Sequence, residues 1–206
     1  MNINKDLKNY IEVEILPQYE KNDSGHAIEH INYVIERCFK FAQQFDGINS
    51  DMLYTIAAFH DIAHHIDKKN HERLSAEYFY NDIKMKELFS GEERLLIKEA
   101  IEDHRASADS SPRSDYGKII SSADRSTDIN DFLCRTHAYT LKHFPNITKE
   151  EMLHRAYEHT EHKYGKAGYA KHYVKDDEYK KFREEINRLL QKPDKFKAQY
   201  YKINNL

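Results

Sequence analysis

Glycine and proline, the two residues that most readily interrupt helices, lie almost entirely between segments whose apolar residues recur every three or four positions. The chain contains only 6 glycines and 4 prolines among its 206 residues. No convincing alternating strand pattern is present, so the sequence predicts an all-α helical bundle. The length favours a single domain over residues 1–206. Its core is expected at about residues 25–135, with C-terminal helices 148–203 packed on it.

Apolar periodicity and capping residues set the expected helix boundaries. Pro17 should stop the first helix, and Ser50 should cap the third. Thr148 and Glu151 form a capping box for a later helix. The predicted helices are Ile3 to Ile15, Ile28 to Phe45, Met52 to about His65, about His71 to Leu88, Glu92 to about His104, a buried helix at 118–133 with Asp124 in its middle, one after Thr148, and two amphipathic helices at 176–190 and 193–203.

The charge balance and the cysteines exclude several classes of protein. The 32 basic and 35 acidic residues give a formal charge of -3, which is too small to attract nucleic acid or an anionic membrane. No apolar run approaches the roughly 18 residues of a membrane span, and the charged N-terminal sequence lacks the apolar segment of a signal peptide. We therefore expect a cytoplasmic protein without a membrane or extended nucleic acid as partner. Cys38 and Cys134 are far apart, which favours two core thiols over a disulfide framework.

Several ionisable residues fall on helix faces that the apolar period places in the core. Burying such a group is costly unless it is paired or bound to a metal. One such histidine is most simply a hydrogen-bonded core residue, but a set on successive helices indicates one shared site. A divalent cation would explain the set, because it compensates buried carboxylates and binds neutral imidazole. The six residues are His30, His60, Asp61, His71, His104 and Asp124, and His26 lies one turn before His30.

The segment AAFHDIAHH, residues 57–65, concentrates this chemistry. His60 and Asp61 are about 100° apart around their helix, so both reach one ion only if it lies over the groove between them. His30 and Asp124 would complete the ligand set from neighbouring helices.

These residues resemble the signature of a known family. His30 in GHAIEHINYVI, His60-Asp61 in AAFHDIAHH and Asp124 in IISSADRSTDI are similar to the spaced His, His-Asp and Asp of the HD superfamily of metal-dependent phosphohydrolases. Order, spacing and helical context agree over roughly residues 25–135. The resemblance implies an all-α HD-type bundle in which these four residues hold a divalent ion, commonly manganese, iron, magnesium, cobalt or nickel.

His71 and His104 resemble two extra histidines that hold a second metal in some branches of the superfamily. Whether the chain binds one ion or two is therefore open, because both histidines would also serve as hydrogen-bond donors to a bound phosphate. Two branches fit poorly. The stretch DHRASADSSPRSDYG lacks the Gly-Tyr-Pro signature of the enzymes that cleave cyclic dinucleotides. His64-His65 replaces an acidic pair of the hydrolases that act on the guanosine tetraphosphate alarmone.

The resemblance implies hydrolysis of a phosphate ester or anhydride by metal-activated water, with Asp61 in the catalytic centre. His64 is a candidate to transfer a proton to the leaving group, or else to orient a ligand. Nearby cations would bind the phosphate of a nucleotide or another small phosphorylated metabolite. A long loop from Ala106 to Tyr116 would help to select the substrate. The candidate substrate-binding residues are His26, Lys68, Arg105, Arg113 and Arg125.

Two other functions fit the same residues. One is a non-catalytic, metal-containing module that binds or senses a nucleotide. The other is a di-iron oxygenase on the same fold, as in a minority branch of the superfamily. Phosphate release from a nucleotide panel and oxygen consumption distinguish the three. The substrate, the native metal and the oligomeric state, with a homodimer as one option, stay open.

Overall fold

The structure of the chain, a computed structural model, describes residues 2–22, 24–108 and 110–206. These residues form helices and turns, without a β-strand, which confirms the all-α prediction. The chain divides into two compact units. One unit comprises Met1–Asp124 and His172–Lys175, and the other comprises Arg125–Lys171 and Asp176–Leu206. The expectation of a single domain stays a prediction.

The first unit contains the helices that carry the predicted ligands. Its α-helices are α1 (Lys5–Tyr10), α2 (Ile28–Ala42), α3 (Ser50–Phe59), α4 (His71–Asn81), α5 (Ile83–Leu88), α6 (Gly91–Glu102) and α7 (Asp115–Ala123). Between α1 and α2 lie a π-helical turn, Ile11–Ile15, and two 3-10 segments, Leu16–Lys21 and Ser24–His26.

Helix α3 lies at the centre of the first unit. All residues from Met52 to Phe59 are buried, and α3 packs against α2, α6 and α7. A helix that is apolar on every face is stable only when it is enclosed in this way. Because the C-terminal end of α3 is also enclosed, the next two residues, His60 and Asp61, are only 0% and 2% exposed. The fold therefore forces two polar side chains into the core.

The second unit consists of α8 (Ile129–His143), α9 (Lys149–Tyr164), α10 (Asp177–Leu190) and α11 (Pro193–Asn204). Aromatic rings dominate its core, and Tyr164 packs edge-to-face against Phe132 and Phe182. The predicted capping box of Thr148 and Glu151 is confirmed at the start of α9. No helix in the described part of either unit is long and apolar enough to span a membrane.

Side-chain caps make several boundary predictions wrong. Asn49, not Ser50, caps α3. The helix predicted from His71 to Leu88 is broken because Asp82 accepts a hydrogen bond from the Met85 amide and starts α5. The helix predicted at 118–133 is likewise two helices, because α7 ends at Ala123 and the Asp128 side chain starts α8. Asp124 consequently lies at the C-terminal end of a helix and not in the middle of one.

Other helix ends also differ from prediction. Pro17 does not stop the N-terminal helical segment, because it lies in the first turn of a 3-10 helix, where its missing amide hydrogen is not needed. Helix α3 ends at Phe59, and residues 60–66 form turns. Helices α2 and α6 end at Ala42 and Glu102. Of the two cysteines, Cys38 is buried as predicted, but Cys134 is exposed.

Candidate metal centre

Four of the predicted ligands form one group. The ligand atoms of His30, His60, Asp61 and Asp124 all lie within 4.8 Å of one another. Asp124 Oδ1 is 3.1 Å from His30 Nε2 and 3.9 Å from His60 Nε2. Asp61 Oδ2 is 3.6 Å from His60 Nε2. We call these four residues the first ligand group.

Asp61, His71 and His104 form a second ligand group. Asp61 Oδ1 is 3.3 Å from Nε2 of each histidine, and the two Nε2 atoms are 3.1 Å apart. Metal–ligand bonds of about 2.0–2.1 Å place adjacent ligand atoms roughly 3.0–3.4 Å apart, so these three distances match the edges of one coordination shell. Asp61 belongs to both groups, with Oδ2 facing the first and Oδ1 facing the second.

Main-chain carbonyls fix the tautomer of three of the histidines. The Nδ1 atoms of His60, His71 and His104 lie 2.8, 3.0 and 2.6 Å from carbonyl oxygens three residues earlier. A carbonyl can only accept, so each Nδ1 carries a proton and, in the neutral ring, each Nε2 keeps its lone pair. Donation from the far ring nitrogen is how proteins orient histidines that bind metals. The three imidazoles therefore present Nε2 as a ligand atom.

The ligands lie at helix ends, which explains how several elements reach one point. His60 and Asp124 are the C-caps of α3 and α7, and His104 follows the C-cap of α6. The C-terminal end of a helix carries a partial negative charge, which favours a bound cation. His71 is the first residue of α4, and His30 lies in the first turn of α2.

Burial and charge set the protonation of the first ligand group. Burial lowers the pKa of His60 to about 4, so its ring is neutral at pH 7. Burial disfavours the charged form of both carboxylates, but neighbouring histidines outweigh it and hold the pKa values of Asp61 and Asp124 below their usual range. Ionised carboxylates and neutral imidazole are the forms that bind a divalent metal.

The second ligand group titrates differently. Burial lowers the pKa of His71. In His104 burial also acts to lower the pKa, but the nearby Asp61 carboxylate raises it above its usual value. Without a cation, the two Nε2 lone pairs and Asp61 Oδ1 repel one another unless a proton lies among them. A metal at this group would therefore displace a proton.

The arrangement fits a metal better than a self-contained polar core. His60 Nε2 and Asp61 Oδ1 are buried and have no hydrogen-bond partner among the described residues. Leaving such atoms unsatisfied is costly, and a divalent cation would satisfy both. His30, His71 and Asp124 have side chains 14%, 13% and 20% exposed, so the groups open to solvent on that side.

Three residues that the sequence reasoning missed hold the ligands in place. The Tyr19 hydroxyl donates to the Ala58 carbonyl at 2.8 Å and accepts from the Asp61 amide at 3.3 Å. The Asn22 side chain donates to the Asp61 carbonyl at 3.0 Å. Arg37 Nε donates at 3.2 Å to the carbonyl of Ala123, the residue before Asp124. No spacing signal in the sequence marks these contacts, because they join segments far apart along the chain.

His64 lies beside the second ligand group, and His26 lies beside the first, with its ring 5.8 Å from the His30 ring. The His26 and His64 rings stack at 3.7 Å, and the His64 ring lies 5.1 Å from the His71 ring. His64 is 6% exposed. The structure therefore brings together the predicted proton-transfer residue and one predicted substrate-binding residue.

The predicted cations are placed differently from the histidines. Lys68 provides the carbonyl that fixes His71. Arg105 donates to both carboxylate oxygens of Glu72.

Arg113, on the predicted loop, bonds to Glu102 and Asp103 at the end of α6. Arg125 is buried and belongs to the second unit, and Asp109 of the loop lies outside the described residues. Their roles in substrate binding stay predictions.

The match to a family model agrees with this geometry. Residues 27–127 match the family model of the HD domain. A crystal structure of a predicted HD superfamily hydrolase from an uncultured Thermotogales bacterium is 20% identical over 76% of this chain and 86% of that chain, with a TM-score of 0.48. No curated protein matches the chain.

The family match and the helical ligand set define the class of protein. The chain carries an HD domain over residues 27–127, and HD domains bind divalent metals. The residues between 27 and 127 include every member of both ligand groups.

Proposed function

We propose that the protein is a dinuclear, metal-dependent phosphohydrolase that cleaves a phosphate ester or anhydride of a nucleotide or another small phosphorylated metabolite. The observation that carries the proposal is the pair of ligand groups joined by Asp61, whose two oxygens face different imidazole sets. A histidine pair that only bound phosphate would not need a shared carboxylate between its Nε2 atoms.

Divalent ions at the two groups would activate water and polarise the phosphoryl group. The protein contributes the preorganised ligands. The carbonyls that fix His60, His71 and His104 and the contacts of Tyr19 and Asn22 to Asp61 hold the donor atoms in place before any ion binds. Such preorganisation lets binding energy be used at the reacting phosphate.

His64 is the proposed proton donor to the leaving group. Its burial excludes bulk water, and its ring lies next to the His71 ring at the second ligand group. The His26 ring, stacked on His64, would limit the rotation of the His64 ring and contact the substrate. Lys68 and Arg113 remain candidates for the remaining phosphate and substrate contacts, whereas Arg125 lies in the second unit.

The test is a panel of nucleotides and small phosphate esters, assayed for phosphate and pyrophosphate release with manganese, iron, magnesium, cobalt or nickel. We expect release that depends on a divalent metal and is abolished by chelation. Metal-loaded protein that releases neither product from any substrate would contradict the proposal. Oxygen consumption by the iron form, measured in parallel, would indicate an oxygenase instead.

A further inference from the structure

Each histidine of the second ligand group is followed directly by one member of an ion pair. Glu72 follows His71, Arg105 follows His104, and Arg105 Nη1 lies 3.0 and 2.9 Å from the two carboxylate oxygens of Glu72. The two histidines are thus linked twice, once through their facing Nε2 atoms and once through the side chains that follow them.

The ion pair also contacts the groups that orient His71. Glu72 Oε2 lies 3.4 Å from His71 Nδ1, beside the Lys68 carbonyl that receives the Nδ1 proton. Arg105 Nη1 donates to the Lys69 carbonyl in the same turn. A carboxylate next to the protonated ring nitrogen makes the opposite nitrogen a stronger ligand.

The pair is not explained by stability alone. Its side chains are 21% and 30% exposed, and ion pairs at such partly exposed positions contribute little to stability. The ion pair instead joins two helix ends beside the rings, because His71 starts α4 and His104 follows α6.

We infer that Glu72 and Arg105 are positioning residues that hold His71 and His104 at the separation a second metal ion requires. The inference rests on the proposed dinuclear centre. It gives Arg105 a different role from phosphate binding, because Glu72 already compensates the guanidinium charge. Without Glu72, that charge would stand uncompensated beside the cation site.

The test measures metal binding without substrate. Isothermal titration with manganese, and the visible spectrum of the cobalt form, would be recorded for the wild type, Glu72→Gln, Arg105→Met and Arg105→Lys. Glu77→Gln is the matched control, since Glu77 pairs with Arg73 at 3.0 Å on the exposed side of the same helix. Circular dichroism would check that each variant folds.

We expect the second ion to bind about 10- to 100-fold more weakly in Glu72→Gln and Arg105→Met, with the first ion unchanged. Arg105→Lys should lie between wild type and Arg105→Met, and Glu77→Gln should match wild type. The cobalt spectrum of the second ion should change in the Glu72 and Arg105 variants, which loss of stability alone would not produce.

Other outcomes overturn the inference. Two ions bound with wild-type affinity in Glu72→Gln and Arg105→Met would show that the pair positions nothing. A raised KM with unchanged metal binding would return Arg105 to phosphate binding. A wild type that binds only one ion would remove the dinuclear centre and the positioning role with it. If the wild type binds two ions but hydrolyses no phosphate, the proposed function fails, whereas metal affinity still decides the role of the pair.

Discussion

The two ligand groups share Asp61 but differ in charge and in protonation. The first group has two carboxylates and two imidazoles, whereas the second has only the shared carboxylate and two imidazoles. The buried imidazole of the first group, His60, has its pKa lowered to about 4, but the buried imidazole of the second, His104, has its pKa raised by Asp61. More negative charge and less competition from protons favour metal binding at the first group. We therefore expect the second group to bind its ion more weakly, with an affinity that is more easily changed.

The largest expected effect comes from removing the shared ligand. Asp61→Asn should lower the affinity for both ions by more than about a hundredfold and abolish hydrolysis. Even changes outside the ligand shell cost about 10- to 100-fold in metal affinity. Metal analysis of the purified protein and a phosphate-release assay measure both effects. Asp115→Asn, at an exposed residue paired with Lys118, is the control. Activity of Asp61→Asn within tenfold of wild type, in a folded protein, would refute the shared ligand.

A smaller effect should follow when only the second group is altered. His71→Ala and His104→Ala should each lower the metal content from two ions to one per chain, because each removes an Nε2 ligand and leaves the first group intact. The exposed His154, which pairs with Glu158, provides a matched control in His154→Ala. If these variants bind as much metal as wild type but bind substrate less well, the histidines contact phosphate instead.

The difference in protonation predicts that acid removes the ions in sequence. The pKa of His104 is raised above its usual value of about 6.5, so protons compete with the second ion as the pH falls through and below that value. The pKa of His60 is lowered to about 4, so His60 stays available to the first ion until much lower pH. Titration with manganese between pH 8 and about pH 5 should show that the affinity for the second ion falls steeply, whereas the affinity for the first ion changes little. Equal pH dependence of both ions would contradict the comparison.

The smallest effect on metal binding is expected at His64. His64→Gln should lower kcat by about a hundredfold, within the usual range for a general acid, and leave both ions bound. The exposed His154, which pairs with Glu158, gives the control His154→Gln. Loss of an ion in His64→Gln would instead assign His64 to orienting a ligand.

The sequence pointed to the residues that the structure brings together in the two ligand groups, because burial makes their chemistry conspicuous. An aspartate or histidine on an apolar face, such as Asp61 or His104, has few explanations, and a shared site accounts for the whole set. The helix interruptions near Asp82 and Asp128 were missed because an aspartate that caps a new helix cannot be told in the sequence from one on the surface of a continuous helix.

The supporting contacts were beyond prediction for a different reason. Tyr19 and Asn22 precede Asp61 by 42 and 39 residues, and only the folded chain brings their side chains to the main chain of Asp61. Arg105 has the charge that a phosphate-binding residue needs, and its pairing with Glu72 depends on how α4 and α6 pack. Residue type thus indicated the chemistry, but the tertiary contacts decided which partner each charge has.

Anomalous scattering from crystals grown with manganese tests the central claim most directly. We expect two peaks per chain, one among His30, His60, Asp61 and Asp124 and the other among Asp61, His71 and His104, with Asp61 contacting both. A single peak at the first group, with His71 and His104 in contact with water or phosphate, would contradict the dinuclear centre.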